Sequence, residues 1–142
     1  MEKPDYLLDT DTCIFVRRQR PLNVLEKLEE VGLDRVWISV VTLYELTYGA
    51  EKHPHPIKAR DQLRLFLRPF KVLAWTELTA VECGKIRARL EKRGEMIGPY
   101  DVQIAAHAKV VGMTVVTNNE REFRRVDGLK VENWCPARTQ PD

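Results

Sequence analysis

The sequence has few cysteines, no long apolar stretch and almost no net charge. Its three cysteines, Cys13, Cys83 and Cys135, are an odd number without metal-site spacing, so they predict neither a disulfide framework nor a zinc site. No apolar run approaches the length that crosses a bilayer, and the N-terminus lacks the charged and apolar regions of a signal peptide. These absences predict a cytoplasmic protein with reduced thiols and no membrane segment.

The charge balance points to no class of partner by itself. Lys and Arg number 23 against 21 for Asp and Glu, a formal net charge of +2. If several acids gathered in one site, however, the remaining surface would be basic. A chain of 142 residues is long enough for one core without a stabilising metal or disulfide. We predict one domain over residues 1–134 and a loose polar tail over residues 135–142.

Apolar strands alternate with helical segments along the chain. Five runs have strand composition: 6–8, 35–41, 70–75, 114–117 and 129–131. Helical spacing is found over 21–31, from 43 onward, and over 58–68, 76–93 and 99–111. It places Val81 on the inner face of the helix over 76–93 and Val111 on the buried stripe of the helix over 99–111. Residues 11–20 are polar and basic and predict a solvated loop or a phosphate-contacting patch. The alternation predicts an α/β fold, a three-layer α/β/α sandwich with a mostly parallel central sheet.

Two aspartates are placed where a ligand site is expected. Asp9 follows the first strand, and ligands of open α/β sheets bind at the carboxyl ends of strands. Pro99 suits the first position of a helix, which puts Asp101 in the first turn, on the same stripe as the apolar Ile104 and Ala105. A carboxylate on the core side of a helix is costly unless a charge or a donor meets it. Both aspartates are therefore candidate site residues.

Other polar groups near strand ends admit two interpretations. Glu45 stands three residues after Thr42, so it is either the second half of a capping box or an acid that points to the same sheet edge as Asp9. Asn119 either caps a short helix, with Glu122 reaching back to it, or belongs to the site. His107 is expected on another face of its helix, without a special role.

A shared site for these groups implies a cation. Asp9, Glu45, Asp101 and the Asn119 region each lie at the carboxyl end of a strand or at the start of an adjoining helix, so the fold would bring them together. Crowded carboxylates repel one another unless a cation neutralises them. Oxygen ligands select a hard ion such as Mg²⁺, with Mn²⁺ as a possible substitute. Such an ion also binds the phosphates of a substrate. Phosphodiester hydrolysis is the natural chemistry of such a site.

Four stretches together resemble the VapC-type toxins of the PIN-domain ribonucleases: LLDTDTCIFV, ISVVTLYELTYGAEK, IGPYDVQIAAHA and TNNEREFRRVDGLKVENW. The resemblance implies a compact α/β/α fold, Mg²⁺-dependent endoribonuclease activity, a homodimer and inhibition by a cognate VapB-type antitoxin. It also implies an RNA substrate, tRNA, with initiator tRNA cut in the anticodon loop. By the same resemblance Asp9 and Asp101 match the metal-binding acids and Glu45 the third acid.

The resemblance has one departure, because many PIN domains have an aspartate where Asn119 stands. Either Glu122 supplies the missing charge, or a second metal is bound weakly. Asp11 and Thr117 are further candidates beside the site. The candidate RNA-binding residues are Arg17, Arg18, Tyr100 and Arg121.

Two other functions are compatible with parts of the sequence. Asp9 and Asp11 after an apolar strand also resemble the first motif of haloacid-dehalogenase-type phosphatases, although no later metal motif follows and Glu45 and Asp101 stay unexplained. Alternatively, the chain is a non-catalytic RNA- or protein-binding PIN module whose site has decayed at Asn119. The three retained acids argue against decay.

Overall fold

The structure is a computed structural model that describes residues 5–19 and 22–135. Its five strands are β1 (Tyr6–Leu8), β2 (Val36–Ser39), β3 (Lys71–Leu73), β4 (Thr114–Val116) and β5 (Lys130–Glu132). The longer helices are α1 (Thr10–Arg18), α2 (Leu22–Val31), α3 (Val40–Glu51), α4 (Pro56–Leu67), α5 (Glu77–Lys92) and α6 (Pro99–Val111). A one-turn helix α7 (Glu120–Phe123) and a 3₁₀ turn (Leu33–Arg35) complete the described elements.

The strands form one sheet in the order β3-β2-β1-β4-β5, and every neighbouring pair is parallel. The predicted parallel sheet is therefore confirmed. The chain moves outward from β1 in one direction through β2 and β3, then returns to the other side of β1 for β4. The order thus reverses between β1 and β4, and crevices at such reversals are the usual ligand sites of open α/β sheets.

Helices cover both faces of the sheet because successive strand side chains point to opposite sides. Leu8 and Ile38 belong to a core that includes side chains of α1 to α4. Leu7 and Val115 belong to a second core, formed with α5 and α6. The three-layer α/β/α arrangement predicted from the sequence is confirmed. In the described part of the chain, no helix combines the length and apolar character needed to cross a membrane.

Helices α1 and α3 differ from the sequence prediction. Residues 10–18 form helix α1, where a solvated loop was one expectation, and the Asp9 carboxylate caps it by accepting from the Thr12 amide at 2.8 Å. Helix α3 begins at Val40 rather than Leu43, with Ser39 as its N-cap. Arg20 and Pro21 lie outside the described residues, as do residues 136–142 of the predicted tail.

The boundaries of α5 and α6 match the prediction closely, but three burial predictions were wrong. Thr76 caps α5, and Pro99 begins α6. Val81, expected on the inner face of α5, is 56 % exposed because it lies about 200° around the helix from the buried Thr79. Val111 is 44 % exposed at the end of α6, whereas His107 is fully buried. The middle of α6 is buried on nearly all sides, so it has no polar face for His107.

Candidate active site

A cavity of ≈ 220 Å³ opens at the carboxyl ends of the strands. Three predicted acids from three elements line it: Asp9 after β1, Glu45 on α3 and Asp101 on α6. The other lining residues are Thr10, Asp11, Gly98, Pro99 and Tyr100. The fold therefore brings together side chains that are distant in the sequence.

Asp9 is the most deeply buried of these acids, with 3 % exposure. Burial raises its pKa from 3.8 to about 6, partly offset by hydrogen bonds from the Thr117 side chain and the Thr12 amide. The same two contacts fix the orientation of the carboxylate. Thr117 is itself buried just past β4, so the sequence candidates Asp9 and Thr117 meet across the switch between β1 and β4.

Asp101 is only half-buried, yet its pKa is raised further, to about 7. Burial is the largest cause, followed by the negative charges of Asp9, Glu122, Asp11 and Glu45. Asp101 therefore lies in a field of like charge that a cation would relieve.

Gly98 makes room for this carboxylate. A Cβ at that position would lie 3.1 Å from Asp101 Oδ2. A side chain at position 98 would therefore require the Asp101 carboxylate to shift, whereas the φ of −55° does not by itself require glycine.

The capping-box interpretation of Glu45 is wrong. Because α3 already begins at Val40, Thr42 lies inside the helix and Glu45 lies well past its first turn. The Thr10 hydroxyl instead donates to Glu45 Oε1 at 2.7 Å and lies 3.1 Å from the Thr42 hydroxyl. Glu45 is therefore held from α1, at the wall of the cavity.

The expected cap at Asn119 is also absent. Asn119 occupies the N-cap position of α7, but its side chain makes no cap hydrogen bond. Its Nδ2 donates instead to the Glu122 carboxylate, while its backbone amide donates to Thr117 Oγ1 at 2.8 Å. Among the described residues, neither Asn119 nor Glu122 lines the cavity, but the Glu122 charge reaches Asp101.

The donor chemistry of the cavity suits a hard divalent cation. None of the ion pairs among the described residues involves Asp9, Glu45 or Asp101, so no lysine or arginine neutralises them. These three residues offer carboxylate oxygens, the ligands that Mg²⁺ and Mn²⁺ prefer. Within residues 5–19 and 22–135, however, no three His, Cys, Asp or Glu side chains already stand in an arrangement that could hold a metal ion.

The predicted RNA-binding residues are divided between different surfaces. Tyr100 lines the acidic cavity, and its hydroxyl donates to that of Tyr44 at 3.2 Å, with the two rings packed edge to face. Arg17 and Arg18 line a neighbouring groove. Arg121 is exposed on α7 and lines none of these described surfaces.

Sequence reasoning missed a buried link behind the site. The Ser39 hydroxyl lies 2.9 Å from His107 Nδ1, and His107 Nε2 lies 2.8 Å from the Ala74 carbonyl oxygen. Since a carbonyl only accepts, Nε2 carries the proton and Nδ1 accepts from Ser39. Burial lowers the pKa of His107 and keeps the ring neutral, with the Ala74 bond opposing this shift. A histidine within the small-residue run of α6 was the only sequence signal.

The family model of the PIN domain matches residues 6–129. The chain belongs to the PIN-domain family, as its parallel sheet and acidic cavity at the strand ends lead one to expect. Within that family it belongs with the VapC proteins. It is 42 % identical over 130 residues to the tRNA(fMet)-specific endonuclease VapC of Salmonella typhimurium, which covers 92 % of this chain and 98 % of that protein. It is 40 % identical to the ribonuclease VapC2 of Haemophilus influenzae, over 91 % of this chain and 97 % of the relative.

Solved structures agree with this assignment. The DNA-bound VapBC of Salmonella typhimurium superposes with a TM-score of 0.87 at 41 % identity, covering 94 % of this chain and 100 % of that chain. VapBC2 of Rickettsia felis, bound to a promoter DNA fragment, gives a TM-score of 0.83 at 32 % identity, covering 91 % and 98 %.

Proposed function

We propose that this chain is the endoribonuclease toxin of a toxin–antitoxin pair and that it hydrolyses initiator tRNA with a divalent cation in the acidic cavity. The observation that carries the proposal is the meeting of Asp9, Glu45 and Asp101 in one cavity without a cationic side chain to neutralise them. The names of the VapC relatives support the reaction and the substrate, since one is a tRNA(fMet)-specific endonuclease and another a ribonuclease. Cleavage in the anticodon loop suits the site, because a loop presents unpaired nucleotides. A cytoplasmic location follows from this substrate.

Asp9 and Asp101 would hold the cation, and Glu45 would complete the negative charge. Mg²⁺ commonly takes one or two protein carboxylates and keeps several waters, so it does not need three preformed protein ligands. When bound, such a cation lowers the pKa of a water and stabilises the charge that develops on the phosphate.

Asp9 and Glu45 each have neighbours that fix the position of the carboxylate. The Thr12 amide and Thr117 orient Asp9, and the Thr10 hydroxyl orients Glu45. The charge of Glu122 adds to the field at Asp101, which supports its role as a partial substitute for the aspartate that Asn119 replaces. Asp11 contributes to the same field at the mouth of the cavity.

A cognate VapB-type antitoxin is the expected protein partner. Two of the structural neighbours are VapBC complexes, and we propose the same pairing here, with a homodimer of the toxin at its centre. An acidic cavity with basic surroundings is complementary to an antitoxin segment that carries an arginine on an apolar anchor.

The two alternative functions are not supported. The relatives are named as ribonucleases rather than phosphatases. Asp9 caps α1 and shares its cavity with Glu45 and Asp101, two acids for which a phosphatase mechanism based on Asp9 and Asp11 has no use.

The proposal is tested by incubating the purified protein with total tRNA and with an initiator tRNA transcript. We expect no cleavage in EDTA and cleavage after addition of Mg²⁺ or Mn²⁺. Asp101→Asn should abolish the reaction, whereas Asp127→Asn, which removes an exposed acid paired with Arg93, should not. Undiminished cleavage in EDTA would refute the metal mechanism. If no RNA is cleaved under any condition, the result would favour the non-catalytic binding module. If a small phosphate ester is turned over, the result would favour the phosphatase.

A further inference from the structure

A second cavity, a groove of ≈ 620 Å³, lies directly beside the acidic cavity. It is lined by side chains of α1, α3 and α4, and it shares Thr10, Asp11 and Glu45 with the acidic cavity. The groove and the candidate site therefore form one continuous depression, and a chain lying in the groove leads to the carboxylates.

Away from Asp11 and Glu45, which it shares with the acidic cavity, the groove is lined by cations that form no ion pair among the described residues. Arg17 and Arg18 from the last turn of α1 line it together with Lys52 at the end of α3. None of these three forms a salt bridge with a described carboxylate.

Nearby arginines on α4 are different. Arg60 is paired with Glu51 at 2.5 Å and Arg64 with Asp61 at 3.2 Å. Within the described part of the chain, Arg17, Arg18 and Lys52 are thus the unpaired cations that the groove itself offers to an anion.

Aromatic and apolar groups accompany these cations. Tyr48 lines the groove with 59 % of its surface exposed, and Lys52 Nζ lies 4.8 Å from its ring centroid. Ile14 and Leu46 form an apolar part of the wall of the groove. Cations beside an exposed ring are the combination that holds single-stranded nucleic acid, with phosphates on the charges and a base on the ring.

We infer that this groove holds a single strand of the RNA substrate on one side of the scissile phosphate, with Arg17, Arg18 and Lys52 contacting its backbone. The inference rests on the proposed function and adds the path of the substrate to it. From Asp11, which lines both cavities, to Arg18 the helix rises about 10 Å, so the groove leads away from the acidic cavity along α1. The cations attract the backbone, and the continuous depression leads the next phosphate to the acids. A peptide in the same groove would need acidic side chains, and it is the competing occupant.

The test is binding of a short, fluorescently labelled, single-stranded RNA of mixed sequence to the full chain in EDTA, where no metal-dependent cleavage interferes. Arg17→Gln, Arg18→Gln and Lys52→Gln should each weaken binding about fourfold at 0.15 M salt and reduce the slope of log K against log salt by about 0.7. Arg17→Lys and Lys52→Arg keep the charge and should keep the wild-type slope. This pair separates charge from the packing of Arg17 on Phe66.

Lys85→Gln is the matched control, because it removes one exposed, unpaired cation from α5, which lies on the other face of the sheet. It should leave both affinity and slope unchanged. Groove variants that behave like Lys85→Gln would overturn the inference. Groove variants that keep RNA affinity but lose affinity for the antitoxin would assign the groove to protein instead. The binding assay does not depend on cleavage. If the wild-type chain proved inactive, the proposed function would be refuted, but the assay would still show whether the groove binds RNA.

Discussion

At the scale of single residues, the site is a set of carboxylates in an environment that favours their neutral forms. Asp9 is buried and Asp101 lies near four other acids, so both have raised pKa values. A natural sequence retains such a cluster where function requires it, since the acids repel one another without a ligand.

Glu45→Gln separates a structural from a catalytic role. The capping alternative is excluded by the start of α3 at Val40, and glutamine still accepts from the Thr10 hydroxyl through its carbonyl oxygen. We expect the melting temperature of the metal-free protein to be unchanged or higher, because the change removes repulsion at Asp101. RNA cleavage should fall by orders of magnitude, with each tenfold loss being about 1.4 kcal/mol of barrier. A destabilised but active variant would contradict the role in the site.

We expect Asp101→Asn to be more stable than the wild type at high pH but not at low pH. The pKa of Asp101 is about 7 in the folded protein against 3.8 ordinarily, so the folded state binds the proton more tightly than the unfolded state. Wild-type stability is therefore lost as pH rises from about 4 to about 7, and the variant escapes this loss. Because the site is partly exposed, the gain at pH 8 should be on the order of 1 kcal/mol, or about 4 °C in melting temperature. At pH 4 the two proteins should melt together.

At pH 8, Mg²⁺ should reverse the order of the melting temperatures of the wild type and Asp101→Asn. A ligand that binds only the folded state raises its stability, so Mg²⁺ should raise the melting temperature of the wild type more than that of Asp101→Asn. Equal shifts in the two proteins would show that Asp101 does not hold the cation. Asp127→Asn serves again as the control and should follow the wild type at both pH values.

At the scale of elements, the Ser39–His107 link connects the three segments behind the site. Ser39 ends β2 and caps α3, His107 lies on α6, and Ala74 follows β3. Since α3 carries Glu45 and α6 carries Asp101, this link helps to set the relative position of two site acids.

Ser39→Ala should therefore cost more than the loss of an ordinary cap. Removal of the cap costs ~1 kcal/mol, and the stranded, buried Nδ1 of His107 adds about 1–3 kcal/mol. Thr76→Ala removes the cap of α5 without touching His107 and is the matched control, with an expected loss of ~1 kcal/mol. Urea unfolding measures both, provided that the slopes agree. Equal losses would mean that the Ser39–His107 bond contributes nothing to stability.

The sequence predicted much at this scale because local signals were strong. Apolar runs located every strand, and Pro99 marked the start of α6. The cap of α3 was misplaced because Thr42 and Glu45 have capping-box spacing, whereas the helix begins at Val40 with Ser39, the last residue of β2, as its N-cap. The burial of His107 could not be predicted, since its two partners come from distant parts of the chain. Likewise, the bond from Thr10 to Glu45 joins residues that only the sheet brings together.

At the scale of the whole molecule, co-expression with the cognate antitoxin tests the pairing. We expect expression of the chain alone to arrest growth and expression with the antitoxin to relieve the arrest. Sedimentation should then show a homodimer for the toxin and a larger hetero-oligomer for the complex. Asp101→Asn should be harmless when expressed alone but should still bind the antitoxin. Unimpaired growth with soluble wild-type chain would count against the toxin assignment.

The central position of β1 has a consequence for synthesis in the cell. The first strand has a neighbour, β4, that is made near the end of the chain, and Thr12 donates across that gap to the Val116 carbonyl, 104 residues later. Asp9 likewise takes its final orientation only when Thr117 has been made. At 5–20 residues per second, roughly 5 to 20 s of translation separate the two halves of the site. Until β4 and Thr117 have been translated, the nascent chain therefore lacks the contacts that orient Asp9.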